Sequence, residues 1–325
     1  MIMILNSSNR FISLILLLVG FGTFSPDVEA QRPRRLPAVP EVRFVSGDAA
    51  RGIPFELHNN HIYLRVGVNN SEPLLFILDT GASSIISRQR VESLGLKLRR
   101  AGRGYGVGEN LIEASSVEGV SLRLPGVTLS RQSLASIPLE SLRASLGRPV
   151  DGILGYGFFR RFVVEIDYAA RTINLYSPGG YRYRGRGERI ALIEDKDSGL
   201  IFARAQIKPS NRAPVDGLFE IDSGGGHALI LNRPFVERHN LLPAAGQANS
   251  VSLGGIEGSS NAVEGVIENL RLGRTRVENV STFFSLAKEG MLASDEFAGN
   301  IGNDVLRRFK VIFDYSRRSM VLESH

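Results

Sequence analysis

Phe76-Ile77-Leu78-Asp79-Thr80-Gly81 is echoed by Phe219-Glu220-Ile221-Asp222-Ser223-Gly224, 143 positions further on. An apolar run that ends on an acid, a hydroxyl residue and a glycine reads as a buried strand meeting a tight turn. The similarity continues outward in the same order. Val117-Glu118-Gly119-Val120 returns as Val263-Glu264-Gly265-Val266, 146 positions later. Gly155, Phe159-Arg160-Arg161-Phe162 and Asp167-Tyr168 return as Gly302, Leu306-Arg307-Arg308-Phe309 and Asp314-Tyr315, 147 positions later. Three matches in one order at nearly one offset describe two copies of a domain-sized unit, far longer than a solenoid repeat. The predicted boundaries are 42–184 and 185–325.

Between these landmarks the pattern is mostly β. His61 to Val68 alternates, with Ile62, Leu64, Val66 and Val68 on one face. Val163-Val164-Glu165-Ile166 and Thr172-Ile173-Asn174-Leu175 flank a polar turn, a hairpin that residues 311–322 repeat. Helical stretches are short: residues 87–94, residues 233–240, and the turns at Phe158 and Leu306. Gly102 to Gly108 (GRGYGVG) lacks G-x-G-x-x-G spacing and opens no helix, so it reads as a glycine-rich hairpin tip and not a nucleotide loop. The expected class is mainly all-β, in two homologous β-rich lobes related by pseudo-twofold symmetry.

Composition narrows the chemistry. The 325 residues include no cysteine and five histidines, which excludes disulfides, thiolate metal sites and Cys nucleophiles and disfavours a His-rich metal centre. Ser83-Ser84 lies in no G-x-S-x-G context, so a serine-hydrolase elbow is unsupported. No metal or cofactor is expected. Carboxylates, hydroxyls and backbone remain, and the repeat presents one carboxylate twice. An Asp at the end of an apolar strand is costly unless hydrogen-bonded, and the following glycine allows a turn whose N–H groups donate to it. If the lobes pack about a twofold axis, Asp79 and Asp222 meet. Two carboxyls in contact share one proton over a broad pH range. One then takes a proton from water while the other donates to a peptide carbonyl, which is direct peptide hydrolysis without a covalent intermediate.

Asp79-Thr80-Gly81-Ala82-Ser83, with the later Ile153-Leu154-Gly155, resembles the Asp-Thr/Ser-Gly and hydrophobic-hydrophobic-Gly motifs of aspartic proteases. Asp222-Ser223-Gly224 and Asn300-Ile301-Gly302 supply a second set. The chain is similar to exported bacterial retropepsin-like proteases, two such units fused in one polypeptide. The resemblance implies a bilobal aspartic-protease-like fold with a polypeptide substrate in the cleft between lobes. It implies Asp79 and Asp222 as the catalytic pair, Thr80 and Ser223 as a cross-lobe hydroxyl network, and Gly81 and Gly224 as the turns. Ser83 would bond the Asp79 carboxylate from outside. Ile153, Leu154 and Gly155, and Ile301 and Gly302, would thread behind the two loops. Hairpins near residues 102–113 and 250–260 would act as flaps. Gly226 stands where the repeat puts Ser83, so Asp222 lacks that hydroxyl, and His227, which follows, either substitutes for it or faces outward. The alternative reading is a catalytically inactive peptide-binding module of the same fold.

Residues 1–30 resemble a secretory signal, with an apolar run from Phe11 to Phe24 behind Arg10 and cleavage expected after Ala30. The run is too short for a stable membrane span. Export to a periplasm or the cell exterior is the expectation. Residues 31–41 read as a Pro/Arg-rich linker. Loss of Arg10, Asp27 and Glu29 takes the formal charge from +6 to +7, which fits attraction to an anionic envelope surface or acidic substrates. Tyr181-Arg182-Tyr183-Arg184-Gly185-Arg186 reads as an exposed connector between lobes, with no nucleic-acid role expected. His58 and His61 read as a surface turn, and Asp167 and Asp314 as hairpin-turn residues.

Overall fold

The computed structural model describes residues 41–325 except 107–111, 244–248 and 256–257, together with Phe11–Ser13 and Leu17–Leu18. It is an all-β, bilobal structure of two barrel-like sheets and a third sheet shared between them. The first sheet runs Leu98–Gly106, Ile112–Leu124, Val127–Ile137, Ile85–Ser87, Gly152–Leu154, Leu74–Leu78, His61–Val68 and Glu56–His58, and Ile112–Leu124 pairs back onto His61–Val68. The second repeats that order with Asn249–Gly255, Gly258–Leu272, Thr275–Ser285, Leu229–Leu231, Gly299–Ile301, Val215–Ile221, Ile201–Lys208 and Ile193–Glu194, and Gly258–Leu272 pairs back onto Ile201–Lys208.

In each sheet a three-residue strand arriving late in the chain enters between two earlier ones. Gly152–Leu154 lies parallel to Leu74–Leu78 and antiparallel to Ile85–Ser87. Gly299–Ile301 does the same between Val215–Ile221 and Leu229–Leu231. The ends of Leu74–Leu78 and Val215–Ile221 carry the two Asp motifs, so this insertion holds both from behind.

The third sheet runs Glu188–Ala191, Ser319–Ser324, Phe309–Asp314, Val163–Asp167, Thr172–Tyr176 and Ala49–Pro54. Its central seam pairs Val163 with Asp314 and Ile166 with Val311, which joins the two hairpins edge to edge. Phe158, Phe159, Phe162 and Phe313 are buried against it, with Phe159 stacked on Tyr315 at 5.6 Å. Each such side chain contributes about 1.5–3 kcal/mol of burial, so the lobe junction is a continuous apolar core.

Asp167 accepts from the Ala170 N–H at 2.8 Å, and Asp314 accepts from the Arg317 N–H at 3.1 Å; both close hairpin turns. The helices are Arg88–Ser93, Tyr156–Phe159, Arg233–Arg238 and Asn303–Leu306 where short helical stretches were expected. A further one, Glu140–Leu146, buries Leu142 and Leu146 and ends at Gly147 with φ 63°. Along the connector Tyr181 and Tyr183 turn inward while Arg182, Arg184 and Arg186 are exposed. No helix among the described residues is long and apolar enough to cross a membrane.

Most of residues 1–40, including the expected cleavage point and linker, lie outside the described residues. Phe11–Ser13 pairs in parallel with Ser252–Gly254, and Leu17–Leu18 pairs antiparallel with Tyr105–Gly106. Both contacts fall on hairpins expected to be flaps. Those hairpins are Leu98–Gly106 with Ile112–Leu124 and Asn249–Gly255 with Gly258–Leu272; the tip at 107–111 lies outside the described residues.

Candidate active site

The two Asp turns are built alike. Leu154 O accepts from the Asp79 N–H at 3.0 Å, and Ile301 O accepts from the Asp222 N–H at 2.9 Å. The chain then leaves each inserted strand through Gly155 or Gly302. The Gly155 N–H donates to Ser84 Oγ at 3.2 Å, and the Gly302 N–H donates to Ala228 O at 3.0 Å. Ile153, Leu154, Gly155, Ile301 and Gly302 thus lie directly behind the two Asp loops.

Thr80 and Ser223 tie the loops to each other. The Thr80 N–H donates to Ser223 Oγ at 3.0 Å, and the Ser223 N–H donates to Thr80 Oγ1 at 2.9 Å. Each hydroxyl then donates across the interface, Thr80 Oγ1 to Ile221 O at 2.6 Å and Ser223 Oγ to Leu78 O at 3.2 Å. The four bonds are buried, so no water competes for them.

This clamp brings Asp79 and Asp222 into hydrogen-bonding contact, both fully buried. The approach is close enough that a Cβ on Gly224 would lie 2.1 Å from Asp79 Cγ, so only glycine fits there. Burial, then the Asp222 charge, push Asp79 well above the usual carboxyl range. Burial also raises Asp222, to about 7, against the pull of the Gly224 and Gly225 N–H groups.

The surroundings of the pair are unequal. Asp222 Oδ1 accepts from the N–H groups of Gly224 at 2.8 Å and Gly225 at 2.9 Å, and Oδ2 accepts from Asn300 Nδ2 at 3.4 Å. Asp79 Oδ1 accepts from the Gly81 N–H alone, at 2.7 Å, and Oδ2 has no partner in the rest of the described residues. Donors favour the ionised form. When the pair carries one charge, these donors favour it on Asp222 and leave the proton to Asp79.

Ser83 makes no hydrogen bond to Asp79, so the outer-hydroxyl role expected of it is corrected. Ser84, one residue on, instead accepts from the loop behind. Gly226 is explained by packing rather than by a weakened site. A Cβ there would lie 2.5 Å from Asn59 O and 2.8 Å from His61 Cε1 of the other lobe, while Asn60 Nδ2 donates to Gly226 O at 2.8 Å. Gly226→Ser is expected to cost about 1–3 kcal/mol by overpacking, read as a lower denaturant midpoint.

His61 is not in a surface turn: it is 2% exposed and wedged at this lobe contact. Burial lowers it to about 4, so it is neutral near pH 7. Asp151, before the first apolar-Gly motif, accepts from the Leu75 N–H at 2.9 Å and pairs with Arg90 at 2.8 Å. It anchors the inserted strand from the side.

Of three polar residues near Asp222, Asn300 entered the expectations as the start of the second apolar-Gly motif and His227 as the neighbour of Gly226, while Glu220 had no expected role. Glu220, Asn300 and His227 are buried, and His227 Nε2 is hydrogen-bonded to Asn300 Oδ1. The repeat places Ile77, Ile153 and Ser84 at the same positions of the first copy. Position-by-position comparison of the copies would have found Glu220, because a Glu inside an apolar strand is conspicuous beside Ile77.

Residues 64–158 match a protein family described as Aspartyl protease. The matched stretch holds Asp79 and Ile153-Leu154-Gly155, ends before Asp222, and supports protease function in general terms. Comparison with curated proteins gave no match.

Proposed function

We propose that the protein is an exported, two-lobed aspartic endopeptidase that hydrolyses peptide bonds with Asp79 and Asp222 as its catalytic pair. The observation that carries this reading is the hydrogen-bonded, buried pair with donors concentrated on one member. Asp222, held ionised by Gly224, Gly225 and Asn300, is the base for the attacking water. Asp79, carrying the proton, donates to the carbonyl oxygen of the scissile bond as negative charge develops there. The Thr80–Ser223 clamp keeps the two carboxyls in register. A polypeptide enters extended between the lobes, and the two long hairpins part to admit it. Export through residues 1–30 and attraction of the basic surface to anionic envelope material belong to the same reading.

The family match over residues 64–158 supports the reaction class. The donor count at Asp222 supports activity over an inactive binding module, because Gly226 removes no support from it. The test is digestion of an unfolded polypeptide between pH 3 and 8, read by mass spectrometry. Cleavage within the chain is expected, with a proton-dependent optimum. Peptide binding without cleavage across that range would overturn the proposal.

A further inference from the structure

Glu220 is a fully buried acid for which the catalytic reading has no use. It lies on Val215–Ile221, two residues before Asp222, and its side chain points toward the first lobe. A Cβ built on Gly81 would lie 2.8 Å from Glu220 Oε1, 3.3 Å from Asp222 Oδ1 and 3.4 Å from Asp79 Oδ1. Three carboxyl oxygens therefore surround one glycine, which is why a side chain at Gly81 has no room. Neither Glu220 oxygen has a hydrogen-bond partner among the described residues.

The groups facing Glu220 come from each element around it. Asp222 shares its strand and Asp79 ends the strand of the other lobe; both repel a charge on Glu220. Asn300 lies opposite it on Gly299–Ile301, with His227 behind, neutral because burial lowers it to about 4. On the other side Phe202 is paired with it and carries no charge. Tyr315, in the turn just after Phe309–Asp314, is raised by burial, then by Asp79, with Tyr156, Glu194 and Glu220 adding to it, so it stays a neutral phenol. Burial, then Asp222 and Asp79, push Glu220 well above the usual range, with Asn300 acting in the opposite direction. With no donor on it and two acids beside it, Glu220 favours its neutral form, so Glu220 and Asp79 are the members of the three that favour their protons.

The order of their loss follows from distance. Ionising both Asp79 and Asp222 puts two charges in contact. Glu220 interacts with both acids through charge alone and without that contact, its Oε1 lying within about 6 Å of Asp222 Oδ1, where repulsion is weaker than between touching carboxyls. The geometry points to Glu220 as a third carboxyl of the centre, a positioning residue that loses its proton before the Asp pair loses its last one and so keeps the pair singly ionised into more alkaline solution. This rests on the reading of Asp79 and Asp222 as the catalytic pair. Once ionised, Glu220 raises the cost of removing the shared proton. At about 6 Å and an effective dielectric near 20, two unit charges separate their ionisations by about two pH units.

The test is kcat/KM against pH for the full protein and for Glu220→Gln and Glu220→Ile, the second restoring the residue of the first copy. Both variants are expected to move the alkaline limb down by about two pH units, a loss of tenfold or more at a pH on that limb. The acid limb, set by ionisation of Asp222 while Glu220 is neutral, stays in place. An unmoved alkaline limb, or a uniform loss at every pH, overturns the proposal. Asp79→Asn and Asp222→Asn serve as controls: if they retain activity, the catalytic reading fails on its own account. A second readout needs no substrate. The folded state holds the Glu220 proton more tightly than the unfolded chain, so the wild type loses stability as pH rises above the unfolded value; the Gln variant keeps only the part of that loss that comes from Asp79 and Asp222. The melting temperature of Glu220→Gln relative to wild type is expected to rise between pH 4 and 8; a constant difference overturns the proposal.

Discussion

Asp222→Asn is expected to lower kcat for peptide hydrolysis by about 10³-fold or more, with the fold intact. Asn matches Asp in shape, and its carbonyl oxygen can still accept from the Gly224 and Gly225 N–H groups that now meet Oδ1 at 2.8 and 2.9 Å. The change removes the one carboxylate whose surroundings favour charge, so no base remains to activate water. It also removes a buried charge, so the melting temperature near pH 7 is not expected to fall. Asp79→Asn reaches a similar loss by another route: its amide can donate a hydrogen bond but cannot deliver a proton to the developing alkoxide. Turnover measured beside circular dichroism separates chemistry from folding. Turnover within tenfold of wild type for the folded Asp222 variant would end the paired-carboxyl mechanism.

Thr80→Val is expected to cost about 2–5 kcal/mol of stability and to lower activity as well. Valine has the shape of threonine without its hydroxyl. The substitution strips the Ile221 carbonyl of a donor at 2.6 Å and the Ser223 N–H of an acceptor at 2.9 Å. Both groups stay buried, and each orphaned partner costs about 1–3 kcal/mol. Because the lost bonds run between lobes, the two carboxyls lose their common frame, and kcat falls more than KM rises. Thr80→Ser keeps the hydroxyl and is expected to restore most of both losses. Equal denaturant midpoints for the Val and Ser variants would show that the clamp carries no stability.

The strand-ending Asp motifs, the repeated hairpins and the short helices at Arg88–Ser93 and Arg233–Arg238 were legible because each is a local pattern. Asp79 and Asp222 stood out because the repeat printed them twice. The helix Glu140–Leu146 escaped notice although Leu139, Leu142 and Leu146 follow helical spacing, since seven residues among strands give a faint signal. His61 misled because two histidines around Asn59-Asn60 look like a surface turn. Its burial depends on Gly226 of the other lobe, 165 positions away in the chain.

Periodicity, turn residues and internal similarity act over a few neighbours or compare one copy with another, so the chain alone carried the β class, the duplication and the identity of the paired acids. The inequality of those acids belongs to the packed molecule. Which carboxyl keeps the proton depends on how many N–H groups converge on it; Gly225 belongs to the Asp222 turn itself, but Asn300 reaches Asp222 only because a distant strand lies behind that turn. The third carboxyl has the same origin. Glu220 reads in the chain as a charge misplaced in an apolar strand, and it becomes part of a proton-holding cluster only when the lobes close around Gly81 and exclude water.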